Sequence, residues 1–85
     1  MEVKFEEVET GKYILKVIGY ACPFPTLYTL KALDDIKPNE ILEVLTDSKP
    51  SCETIPQAVT DKGHYVLKVE QIEHTLWKIV IKKKE

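Results

Sequence analysis

The residues of this 85-residue chain best suited to chemistry are its two cysteines, Cys22 and Cys52. Cys22 opens the run Cys22-Pro23-Phe24-Pro25, and Cys52 lies just ahead of Thr54-Ile55-Pro56-Gln57. A cysteine reacts as the thiolate, which forms most readily where partial positive charge is at hand, as at the start of a helix. Two prolines this close together break a strand or a helix interior, yet the first turn of a helix tolerates them because its N–H groups have no intrahelical partner. The spacing therefore predicts Cys22 as the N-cap, Pro23 as the first helical residue and Pro25 as the third. The N–H of Phe24 is left pointing out of the helix end, and the prolines stiffen the mount. Such a mount is an arrangement for a reactive thiol. The plain alternative is a small buried cysteine at a helix start. The second proline, following a strand that ends in Gly19, argues for reactivity.

Other constellations are thin. His64 and His74 with the two cysteines would be a zinc set by type alone, but no C-x-x-C or close histidine pair preorganises one. Asp34-Asp35 ends a helical stretch and reads as solvated surface. There is no glycine-rich phosphate loop and no Ser/His/Asp order. No metal and no bound cofactor are expected.

The elements that must position the thiols follow from periodicity. Residues 13–18 alternate as a strand, and Val3, Phe5 and Val8, ahead of a Thr10-Gly11 turn, mark residues 2–8 as a flanking strand within a 1–12 extension. Phe24, Leu27, Leu30, Leu33 and Ile36 recur at steps of three, giving a helix over 24–36 that Lys37-Pro38-Asn39 stops. Residues 41–46 form an apolar interior strand, and 47–51 a loop. Thr54 to Gln57 fit a capping box that starts a second helix, with Pro56 in its first turn and Gly63 closing it. Tyr65, Leu67 and Val69 alternate as one strand and Trp77, Ile79 and Ile81 as the last, with Glu73-His74 turning between them.

The order β-α-β-α-β-β makes an α+β, two-layer α/β sandwich: a mixed four-stranded sheet with two helices on one face, plus the N-terminal strand. Both helices then start at one edge of the sheet, and Cys22 and Cys52 share that edge. On this pattern Tyr65, Leu67, Val69, Trp77, Ile79 and Ile81 face the helices. Ile14, Ile18, Val66, Leu76 and Val80 face outward among Lys16, Lys68 and Lys78. That open face is either a surface for weak self-association or a patch shielded by lysine stems.

Composition narrows the field. The whole chain, 1–85, is one domain, 44% hydrophobic and 31% charged. No apolar run reaches the roughly 18 residues of a membrane span and no signal-type N-terminus is present, so a cytoplasmic location without membrane association is expected. The net charge is −2 and all 12 basic residues are lysines, which argues against direct nucleic-acid binding. The Lys82-Lys83-Lys84 cluster reads as a solvated chain end.

Gly19-Tyr20-Ala21-Cys22-Pro23-Phe24-Pro25 resembles the signature of the TusA-type (SirA-like) sulfur carrier family, a glycine, two residues, then Cys-Pro-x-Pro opening the first helix. Ile55-Pro56 and Gly63-His64 resemble the family as well, and the likeness runs from about residue 13 to 82. It implies the two-layer sandwich and a carrier, rather than a turnover enzyme, that holds sulfane sulfur as a persulfide on Cys22. The persulfide sulfur is then the only cofactor. Gly19, Pro23 and Pro25 support the helix start. The implied partners are a donor, either a cysteine desulfurase or a rhodanese-like protein, and an acceptor sulfurtransferase. The relay would serve tRNA thiolation, cofactor sulfuration or sulfur metabolism. Many relatives carry an acid where this chain has Lys16 and a base where it has Ala21. Cys52 lies outside the general pattern. It is a passive loop residue, a second sulfur acceptor, or a resolving thiol that would make the chain a dithiol redox protein. A non-catalytic interaction module with incidental cysteines is the remaining alternative.

Overall fold

The computed structural model describes residues 2–20 and 24–84, with Glu2, Ser51 and Cys52 described by backbone alone. The elements are β1 (Glu2–Glu9), β2 (Lys12–Ile18), α1 (Phe24–Asp35), β3 (Ile41–Thr46), α2 (Ser51–Asp61), β4 (Tyr65–Glu73) and β5 (Leu76–Lys82). They form one five-stranded mixed sheet in the order β1-β2-β3-β5-β4. The N-terminal strand is thus a full member of the sheet, pairing antiparallel with β2 through the Thr10-Gly11 turn. β2 and β3 are parallel, as a strand-helix-strand crossover requires. β5 lies antiparallel between β3 and β4.

One face of the sheet presents Leu15, Val17, Leu42, Val44, Ile79 and Ile81 to both helices, which answer with Ala32, Leu33, Ile36, Ile55 and Val59. Burying side chains of this size contributes about 1.5–3 kcal/mol each. The core is therefore the main reason that the two helix starts are held together at one edge.

Three expectations need correction. The apolar stripe of α1 does not face the sheet along its whole length. Steps of three turn a helix by 300°, so over four steps the stripe swings well away from its starting direction. Leu33 and Ile36 are buried, whereas Phe24 and Leu27 are 51% and 56% exposed. Pro25, Thr29 and Ala32 fill the buried face in their place.

The second helix starts at Ser51, three residues before the anticipated Thr54 cap, with Pro50 at the N-cap position and no side-chain cap. Cys52 is accordingly the second residue of α2 and not part of the preceding loop. Pro56 sits inside the helix, not in its first turn. The Thr54 hydroxyl bonds to the Pro50 carbonyl and to Thr26 instead of capping.

In β4 the register shifts between Val66 and Lys68, so the strand changes face at Leu67. Val66, opposite Ile81, packs against the core, while Tyr65 and Leu67 are exposed. A period-two reading cannot anticipate an extra residue in the ladder, which inverts the pattern on one side of it.

Candidate functional site at the edge of the helix starts

Gly19 directly follows β2 with φ +82°, a left-handed conformation that glycine adopts without strain. Its N–H donates to both carboxylate oxygens of Asp47, at 3.1 and 3.2 Å. Asp47 immediately follows β3, so this bond ties together the carboxyl ends of the two parallel strands. An open groove lined by Gly19, Tyr20, Asp47, Ser48, Lys49 and Pro50 lies there, beside the start of α2. Lys49 adds an ammonium group to its wall.

The helix α1 begins at Phe24, four residues after Tyr20. Pro25 is fully buried in its first turn, and its carbonyl accepts a 2.7 Å bond from the Thr29 hydroxyl. The Pro25 nitrogen lacks a proton where none would find a partner, so the ring acts as a rigid apolar plug under the helix start. Thr26 and Thr54 hydroxyls meet at 3.1 Å, joining the first turns of α1 and α2. Tyr20 packs edge-on against Phe24 and Tyr28, with ring centroids 6.0 and 5.7 Å apart. Such aromatic pairs contribute about 0.5–1.5 kcal/mol beyond their buried area. They fix the chain on both sides of residues 21–23.

Of the residues singled out in the sequence, Gly19 and Pro25 frame this edge. Cys22 and Pro23 lie outside the described residues, as does Ala21, and so does the side chain of Cys52. The backbone of Cys52 belongs to α2, whose first turns touch those of α1. Lys16 lies on the helix-free face of the sheet, opposite Leu45 and Lys4, and is no neighbour of the groove. His64 and His74 are not brought together. His64 is buried after α2, and His74 is in the β4–β5 turn, where its carbonyl accepts from Gln71. Among the described residues, no three His, Cys, Asp or Glu side chains gather as a metal set.

Sequence reading missed Asp47, Phe24 and Leu27. The signal for Asp47 was an acid directly after the interior strand, at the edge where β2 also ends. Phe24 and Leu27 were legible only as apolar, not as exposed.

The sequence matches the family model described as sulfurtransferase TusA over residues 13–83. This chain belongs to the TusA family. A protein assigned as a sulfur carrier in Thermotoga maritima is 47% identical over 82% of this chain and 89% of its own length. One assigned likewise in Archaeoglobus fulgidus is 39% identical, over 84% and 81%. YedF of Escherichia coli K12, also assigned as a sulfur carrier, is 39% identical over 69% and 77%. A crystal structure of a SirA-like protein from Desulfitobacterium hafniense superposes with a TM-score of 0.74 at 19% identity, covering 85% of this chain and 97% of that one. That likeness shows that the two share a fold. The TusA match begins after β1.

Proposed function

We propose that this TusA-family protein carries sulfane sulfur as a persulfide on Cys22, taking it from a donor protein and passing it to an acceptor sulfurtransferase. The observation that carries the reading is family membership across residues 13–83, a span that includes the Cys-Pro-x-Pro run. The frame around the run supports it. Gly19 is anchored by Asp47, Pro25 is locked under the start of α1, and an open groove lies alongside.

In the loading step the Cys22 thiolate attacks the terminal sulfur of a donor persulfide. A new S–S bond forms on Cys22, the donor's S–S bond breaks, and the inner donor sulfur leaves as a thiolate that takes up a proton. Two thiol-level sulfurs and one sulfane sulfur are present before and after, so no external oxidant or reductant is used. Unloading is the same displacement by an acceptor thiolate. The exposed side chains of Phe24 and Leu27, in the first turn of α1, give both partners an apolar foothold. The reaction proceeds in the cytoplasm, where thiols stay reduced between transfers.

Incubation with a cysteine desulfurase and cysteine, removal of the donor, and cyanolysis of the carrier tests this. One equivalent of thiocyanate per chain is expected from the native protein and none from Cys22→Ser. Equal release from both proteins would overturn the assignment of the sulfur to Cys22.

A further inference from the structure

At the opposite end of the helices, α2 closes with a Schellman arrangement. The Gly63 N–H donates to the Thr60 carbonyl and the His64 N–H to the Val59 carbonyl, with Gly63 at φ +91°. This places His64 under the chain end, where it is only 7% exposed. The backbone N–H of Lys84 donates to its Nδ1 at 3.1 Å. A neutral imidazole whose Nδ1 accepts must carry its proton on Nε2. Among the described residues that Nε2–H has no hydrogen-bond acceptor.

A cavity of about 170 Å³ opens beside this ring, lined by Leu30, Asp34, Lys62, His64, Lys83 and Lys84. Three ammonium groups and one carboxylate leave the lining with a charge of +2. Lys83 is committed, since its Nζ donates to the carbonyl of Ile36, the residue just after α1. Among the described residues, Lys62 and Lys84 have no carboxylate in ion-pairing range. The Lys84 stem folds back over Gly63, close enough that a Cβ there would lie 3.3 Å from Cδ. Capping of the helix ends by lysine explains Lys83. It does not explain a buried imidazole N–H beside two further cations, because lysines have only donors and cannot satisfy it.

We infer that this cavity is a binding site for a small tetrahedral oxyanion of the phosphate or sulfate class, held by His64 Nε2–H, Lys62 and Lys84. The volume accommodates such an ion with water. The cavity also borders the C-terminal ends of α1 and α2, whose partial negative charge the lysines must outweigh; at α2 the Ala58, Val59 and Thr60 carbonyls already accept backbone N–H groups. The site lies a 12-residue helix away from the helix starts, about 18 Å, and stands apart from sulfur carriage. It gives the lysine-rich chain end a role other than solvation.

The test is an NMR titration of the full chain with inorganic phosphate near neutral pH, at constant ionic strength against chloride. Saturable shifts of the His64 ring and of the amides of 62–64 and 83–84 are expected, together with an upward move of the His64 titration midpoint. A bound dianion favours the imidazolium, although Lys62, Lys83 and Lys84 oppose it and Asp34 assists. Lys62→Ser with Lys84→Ser, both on exposed side chains, should weaken binding by at least about tenfold, the effect of losing one charge-assisted contact. Phenyl phosphate separates two sources of the same head group. Weaker binding than inorganic phosphate identifies a free ion, and equal or tighter binding the end of a phosphomonoester. Shifts that do not saturate, that chloride reproduces, or that the double variant retains would overturn the site.

Discussion

At the residue scale, two side chains outside the cysteine run hold the architecture, and each makes a measurable demand. Asp47 accepts the Gly19 N–H with both carboxylate oxygens and so links the ends of β2 and β3. Because the bond is exposed to solvent, Asp47→Ala should cost only about 1 kcal/mol in denaturant unfolding. It should nonetheless slow sulfur loading, because the chain entering Cys22 is released. Unchanged loading would show that this bond is structural alone. His64 makes a pH demand. Burial first, then the Lys84 and Lys83 ammoniums, hold its pKa below the usual 6.5, against a smaller opposing pull from Asp34. The unfolded chain thus binds a proton that the folded one refuses. The stabilisation is fully present above about pH 6.5 and is lost as pH falls through that value toward the lower folded one. Thermal unfolding in phosphate-free buffer should show this decline in the native protein. His64→Gln, which keeps an acceptor for Lys84, should lack that segment of the profile.

At the element scale, the helices show where sequence reading succeeds and where it stops. Helix α1 was legible because its prolines, its apolar positions and its Lys37-Pro38-Asn39 stop all agree on the boundaries. Which of its residues are buried was not, because a three-residue stripe drifts and packing against the sheet selects the rotation. Leu27 falls on the exposed side as a result. Leu27→Lys should therefore leave stability within about 0.5 kcal/mol, as for other surface changes, yet reduce the rate of sulfur transfer between proteins. Transfer at the native rate would remove Leu27 from the partner surface. Helix α2 misled through a local signal. Thr54 to Gln57 form a good capping box, but the chain is already helical from Ser51, so tertiary packing overrides the cap. Pro56 then lacks a donor that an interior helical residue should supply. Pro56→Ala should raise stability by about 2 kcal/mol, a gain reduced somewhat by the greater freedom of the unfolded chain. If the helix began at the Thr54 cap, the same change would be neutral or slightly destabilising.

At the scale of the whole molecule, the open face of the sheet is laced with charge. Lys12 and Lys78 approach Glu43 at 3.7 and 3.8 Å, and Lys78 and Lys68 approach Glu70 at 3.2 and 3.1 Å. Ile14, Leu45 and Val80 lie half-buried between these pairs. The arrangement matches shielding by lysine stems better than a bare association surface. The opposite layer gathers the starts of both helices at one edge, a consequence of strand order that was readable from the alternation of elements alone. That Cys22 alone carries the sulfur is the central claim, and intact-mass spectrometry tests it most directly. The native chain, Cys22→Ser and Cys52→Ala are each incubated with a cysteine desulfurase and cysteine, then weighed without reduction. One added sulfur atom on the native and Cys52→Ala proteins, and none on Cys22→Ser, is the predicted result. Sulfur on Cys22→Ser, its absence from folded Cys52→Ala, or loss of two hydrogens from the native chain would contradict a one-cysteine carrier.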